Sequence, residues 1–188
     1  MTQRTHDLAA VTLTSFRFLA FPPLAPFNWE TILGIGVATF VGGALPDIDN
    51  VASKVWKFNL TPWEDDMTRN SLEGHRNLSH SIIGLAIFTF SLGWLLTLVK
   101  LANLDIYHIQ QAFALGYLSH LISDSLTRNG VPWFYPIDIH LGFPPFKSLR
   151  MKTGGFWEKI VVLPLLLIIT IWILFIYRFN LHLLFSNQ

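Results

Sequence analysis

Two uncharged runs decide most of what this chain can fold into. Ile82–Val99 (IIGLAIFTFSLGWLLTLV) and Ile160–Tyr177 (IVVLPLLLIITIWILFIY) each extend for eighteen residues without a charged side chain. At 1.5 Å per residue, eighteen helical residues span about 27 Å, close to the hydrocarbon thickness of a bilayer. Both are expected to cross a membrane as helices. Pro164 falls within the first turn or so of the second run, where a helix tolerates it.

The composition agrees. Hydrophobic residues make up 52% of the 188 positions and charged residues 13%, about half the roughly 25% of soluble domains. The length suits one domain, residues 1–188. Thirteen basic and twelve acidic residues give a net charge of +1, too balanced for a nucleic-acid binder working through a basic face. With no cysteine, disulfides, iron–sulfur clusters and thiolate zinc sites are excluded. The expected fold class is all-α, a multi-pass membrane bundle of about four to five apolar helices.

Three weaker segments complete it. Leu8–Phe21 is apolar but carries Arg17 and stops at Pro22-Pro23. Thr31–Leu45 is clean but short, and Gly34, Gly36, Gly42 and Gly43 point to close helix packing. The first two segments read equally as a spanning pair or a re-entrant hairpin. Ile106–Ile122 holds Gln110, Gln111, Ser119 and His120, so it should face protein rather than lipid. In an up-and-down order the N-terminus and the loops 46–81 and 123–159 share one side. That side carries ten of the thirteen basic residues, including Arg4, Lys54, Arg128 and Lys152. This bias makes it the cytoplasmic side.

The polar residues foreign to such a chain fall in small packets: His6-Asp7, Asp47-Ile48-Asp49, His75-Arg76 with His80, His120 with Asp124, and Glu158. Each opens or closes a segment, alternately, and in an antiparallel bundle alternate starts and finishes lie at one end. A single cluster is therefore expected. His120 and Asp124 stand i, i+4 and share a helix face. Asp47 and Asp49 point the same way only in an extended chain, and Pro46 makes a helix exit plausible there. His75 is placed in a loop, with Ser79 or His80 beginning the next helix.

His6, Asp47, Asp49, His75, His80, His120 and Asp124, with Glu158 as an eighth, exceed what one four-coordinate zinc uses. Histidine and carboxylate without thiolate suit zinc first, then manganese or iron, in a site of two or more ions. Such sites lower the pKa of bound water and clamp the oxygens of a phosphoester or similar bond, while Arg76 could neutralise a phosphate. Taken singly, each packet has a plainer reading: Asp47 and Asp49 as turn formers, His120 as a packing histidine, Glu158 as a helix cap. Their convergence on one end favours the site. His108, His140 and His182 are left out, two on the other side and His140 without a partner spacing. Thr61-Pro62-Trp63-Glu64 fits a capping box, so a short amphipathic helix is expected near 62–72. The stretch Val131–Phe146, rich in Pro and aromatics, reads as an interfacial belt and as an apolar wall of a substrate pocket.

LPDID at Leu45–Asp49, HRNLSHS at His75–Ser81 and GYLSHLISDSLTRNGVPWFYP at Gly116–Pro136 resemble the YdjM-type family of inner-membrane proteins, classed as metal-dependent hydrolases. That family carries an N-terminal His, LPDID, HRGxTHS and GYxSHxxxDxLTxxG in this order. The resemblance implicates His6, Asp47, Asp49, His75, His80, His120 and Asp124 as its metal and catalytic set. Asn77 and Ser79 stand where the family usually has Gly and Thr. The HxxxD helix also resembles, distantly, that of zinc-dependent phospholipases C and P1-type nucleases. The resulting expectation is a membrane-bound metal-dependent hydrolase acting on an ester or phosphoester of an amphiphilic substrate, such as a phospholipid or isoprenoid phosphate. Asp49 or Glu158 would serve as base and Arg76 as anion binder, with no nucleic-acid partner. Two alternatives stay open: a divalent-cation transporter, and a non-catalytic scaffold stabilised by metal.

Overall fold

The computed structural model describes residues 1–47, 78–99, 103–137 and 139–185. Six α-helices are formed there: α1 Gln3–Ala20, α2 Trp29–Ala44, α3 Ile82–Val99, α4 Ile106–Ser125, α5 Leu163–Ile176 and α6 Arg178–Phe185. A 3-10 turn, Leu45–Asp47, prolongs α2, and a π turn, Glu158–Val162, leads into α5. Among the described residues the only β pairing is two isolated bridges, Thr127 with Met151 and Val131 with Leu141. The all-α expectation holds.

Three helical stretches are long and apolar enough to cross a membrane: Trp29–Asp47, Ile82–Val99 and Glu158–Ile176. Both uncharged runs are thus helical, and the short third segment gains length from Trp29 and from the turn that ends at Asp47. The remaining long helices, α1 and α4, carry polar residues and lie inside the bundle. Arg17 of α1 donates from Nη1 to the Phe21 carbonyl at 2.6 Å and from Nη2 to Gln111 Oε1 of α4 at 3.1 Å. Its charge is therefore met by protein rather than left to hydrocarbon. The first segment begins at Gln3, earlier than expected, so His6 lies inside a helix.

Polar caps start the inner helices. Asn28 accepts from Thr31 N at 2.9 Å at the head of α2, and Asp105 accepts from His108 N at 3.2 Å at the head of α4. The tightest packing joins α2 to α4. A Cβ on Gly42 would overlap the Phe113 carbonyl oxygen, and one on Gly116 would overlap that of Thr39. Glycine there lets two backbones touch, which in lipid replaces the hydrophobic drive between helices. Gly36, by contrast, faces open space. Tyr117, Leu121, Ala112 and Phe113 of α4 are almost wholly buried, so α4 is the axis of the bundle. Hydroxyl contacts complete it: Thr12 with Thr170 at 2.7 Å, and Thr39 donating to Thr14 at 3.3 Å.

The stretch 126–157 has little regular structure. It is pinned to the end of α4 by Trp133, whose Nε1 donates to Ser125 Oγ at 2.8 Å, and to the start of α3 by Ile82 N on the Trp133 carbonyl at 3.1 Å. Phe134, Phe143, Phe146, Phe156 and Trp157 stay exposed on its outer surface, the disposition a headgroup-level belt requires.

Candidate metal centre

Alternation of helix ends does bring the packets together. His6 comes from the first turns of α1, Asp47 from the turn closing α2, and His80 from the turn just ahead of α3. His120 and Asp124 come from the last turns of α4. Two overlapping groups result, His6 with His120 and Asp124, and Asp47 with His80 and His120; within each, the donor atoms lie within 4.8 Å of one another.

One arrangement decides what chemistry this cluster suits. His120 is fully buried, and its Nδ1 lies 2.8 Å from the Gly43 carbonyl oxygen. A carbonyl only accepts, so Nδ1 carries the proton and Nε2 presents a lone pair. That Nε2 has no hydrogen-bond partner. It faces Asp47 Oδ2 at 3.7 Å and Asp124 Oδ2 at 3.6 Å. His80 repeats the pattern: Ser79 Oγ donates to the Pro46 carbonyl at 3.3 Å and lies 3.2 Å from His80 Nδ1. His80 Nε2 then points at Asp47 Oδ1 at 3.7 Å and Asp124 Oδ2 at 4.0 Å.

These separations are too long for hydrogen bonds, which hold at 2.7–3.2 Å. They match ligands around a shared ion, since bonds of about 2.1 Å at tetrahedral angles set neighbouring ligand atoms about 3.4 Å apart. The two Nε2 atoms and the two carboxylates converge, each pair 3.6–4.0 Å apart. A cation fits, and the residues present suit one. The histidine–carbonyl bond behind His120 is also the usual outer support of a metal-binding imidazole.

Asp124 joins the two groups. Its Oδ2 faces His80 and His120, while its Oδ1 faces His6 Nε2 at 3.2 Å and contacts the α-amino group of Met1. His6 stacks on His120 with ring centroids 3.8 Å apart, and its Nδ1 is buried without a hydrogen-bond partner. His6, His120 and Asp124 would be the residues to hold a second ion, which would supply further Lewis acidity.

Sequence reasoning needs two corrections here. Glu158 does not join the cluster. It is 1% exposed, and its Oε1 accepts from Thr2 N at 2.6 Å, Thr2 Oγ at 2.7 Å and Thr5 Oγ at 2.7 Å, while Oε2 accepts from Gly154 N at 2.7 Å. This carboxylate anchors the start of α1, which its distant position in sequence concealed. Pro46 does not release the chain into an extended exit; it sits inside the turn that carries Asp47 inward. Asp49, His75, Arg76 and the expected helix near 62–72 lie outside the described residues. Missed from sequence were the supporting groups: the Gly43 carbonyl, Ser79, and Tyr117, whose hydroxyl donates to the Ser79 carbonyl. Only Ser79 had a signal, from its place in HRNLSHS.

Removing the Glu158 acceptor leaves four donors unmatched around a buried position. Glu158→Ala is expected to cost on the order of 3 kcal/mol of stability, read as thermal unfolding in detergent. Metal held by Asp47, His80 and His120 should remain; equal loss of metal and stability would place Glu158 among the ligands after all.

Residues 1–183 match a family described as YdjM inner membrane protein. The chain belongs to that family. Relatives within reach of sequence comparison include the uncharacterized protein YvsG of Bacillus subtilis, 28% identical over 166 residues, covering 86% of this chain and 88% of that protein. The inner membrane protein YdjM of Escherichia coli is 32% identical over 146 residues, covering 72% of this chain and 66% of that protein, as is its Shigella flexneri counterpart. No solved structure matches. Membership of the YdjM family and three apolar helices make this an inner-membrane protein.

Proposed function

We propose that this YdjM-family protein is a membrane-embedded metal-dependent hydrolase that cleaves an ester or phosphoester bond of an amphiphilic substrate. The observation that carries this reading is the convergence of two imidazole nitrogens and two carboxylates, each pair 3.6–4.0 Å apart. His6, Asp47, His80, His120 and Asp124 would hold one or two divalent ions, zinc by preference. Such an ion supplies Lewis acidity and a more acidic water. Asp49, two residues beyond Asp47, would take the proton, and Arg76, next to His75, would bind the substrate anion.

The membrane setting selects the substrate class. Arg4, Arg128, Lys147, Arg150, Lys152 and Lys159 share the cluster's side of the chain's up-and-down path, which supports a cytoplasmic location by the positive-inside bias. A site at that level, beside exposed aromatics, meets phospholipids or isoprenoid phosphates rather than soluble esters.

Purified protein loaded with zinc or manganese, offered a panel of lipid phosphates and phosphodiesters, tests the reading. Hydrolysis should appear, fall more than 100-fold in His80→Ala and Asp124→Ala, and fall by about that factor in Asp49→Ala while its metal content stays near wild type. A metal-loaded protein that hydrolyses none of the panel but carries metal-dependent ion flux in proteoliposomes would replace the hydrolase with a transporter.

A further inference from the structure

A cavity of about 400 Å³ lies between α1, α4 and α5, walled almost entirely by apolar atoms. On α1 its wall is Ala9, Leu13 and Phe16, and on α5 it is Leu166, Ile169 and Trp172. His6, Ala9, Leu13 and Phe16 follow the i, i+3, i+7, i+10 spacing of a single helix face. The stripe that lines the groove therefore starts at a cluster histidine. From His6 to Phe16 the helix rises about 15 Å. At the head of the groove the Met1 side chain forms part of the wall while its α-amino group contacts Asp124, and Ser119 and Ser123 precede His120 and Asp124 on α4.

Three hydroxyls near the groove are turned away from it. Thr12 Oγ bonds to the Leu8 carbonyl at 2.7 Å and to Thr170 Oγ at 2.7 Å, Thr170 Oγ donates to the Leu166 carbonyl at 2.8 Å, and Ser119 Oγ donates to that of Gly116 at 2.7 Å. The lining exposes almost no polar surface to bind water or a peptide backbone. One wall belongs to the candidate span Glu158–Ile176, so what reaches the mouth of the groove is hydrocarbon.

We infer that this groove holds one acyl or prenyl chain of a phosphate-bearing lipid, whose head reaches the His6–Asp124 half of the cluster. The inference rests on the hydrolase reading for what happens at the head, and on the groove alone for the chain. Phe16 and Trp172 stand at the far end, 42% and 60% exposed, and set the preferred chain length.

The test uses the full-length protein in nanodiscs and reads binding, so that it does not depend on turnover. Hexadecyl phosphate bearing a diazirine at the chain terminus is photolysed with the protein, and labelled peptides are mapped; the neutral hexadecanol with the same diazirine is the comparison. Phosphate-bearing probe should label Phe16, Ile169 and Trp172 at least five-fold more than the neutral probe. On the outer face of α3, at Phe90 and Trp94, the two should label alike. Leu166→Trp, filling the groove, should remove the groove labelling at least five-fold, with metal content and α3 labelling unchanged; Ile169→Trp is the second variant should the first fold poorly. Labelling that is equal for both probes, or insensitive to both tryptophan variants, is ordinary boundary lipid and overturns the inference. Lipid-phosphate hydrolysis without groove labelling would overturn it while leaving the function standing. Groove labelling without hydrolysis would do the reverse.

Discussion

His120→Ala should strip the protein of bound metal. His120 is shared by both ligand groups, is fully buried, and has only Nε2 to give because Nδ1 is committed to Gly43. Outer-shell partners of metal ligands are worth roughly 10–100-fold in affinity, so loss of the shared ligand atom should exceed about 100-fold. Elemental mass spectrometry on detergent-purified protein, after zinc or manganese loading, reads this directly. Wild type should hold one to two ions per chain and the variant essentially none, with His80→Ala and Asp124→Ala in between. A folded wild type that holds no metal after loading would leave the cluster as a polar interface between helix ends, and the hydrolase reading would fall with it.

A loss of stability as large as that of Glu158→Ala should come from a single methyl group. A Cβ on Gly116 would overlap the Thr39 carbonyl and lie 3.0 Å from Gly43 N, so Gly116→Ala must push α2 away from α4. Overpacking typically costs 1–3 kcal/mol, and here the obstructing atoms are backbone, which cannot turn aside; about 3 kcal/mol is expected. Gly36→Ala is the matched control. Its added methyl meets nothing within 4 Å, and alanine in a helix gains roughly 0.5–1 kcal/mol over glycine. Thermal unfolding in detergent should separate the two by about 7–16 °C. Metal content should follow, since the same displacement pulls Gly43 from His120 and Asp47 from the cluster. Equal melting temperatures would mean that the α2–α4 contact is not what holds the bundle.

Much of this was legible in the chain because it followed from chain direction. Uncharged runs gave the helices, and the alternation of starts and finishes put His6, Asp47, His80, His120 and Asp124 at one end before any distance was known. The i, i+4 spacing of His120 and Asp124 survived unchanged. What escaped depended on contacts between parts far apart in sequence. Glu158 reads as a helix cap, an eighth ligand or a base until Thr2 and Thr5, more than 150 residues away, are seen to hold it. Backbone carbonyls carry no sequence signature, so the role of Gly43 was hidden although its glycine had been noted for packing. Pro46 misled because a proline after a helix favours an exit, yet a 3-10 turn accommodates it.

Each helix contributes at most two of the five clustered side chains: one from α1, one from the turn after α2, one ahead of α3, and two from α4. No helical hairpin carries a complete group by itself. A segment threaded through the membrane in the wrong sense would present its histidine or aspartate at the opposite face, and the cluster would stay open. The five donors are thus juxtaposed only when all four helical segments that carry them run in the directions this fold gives them.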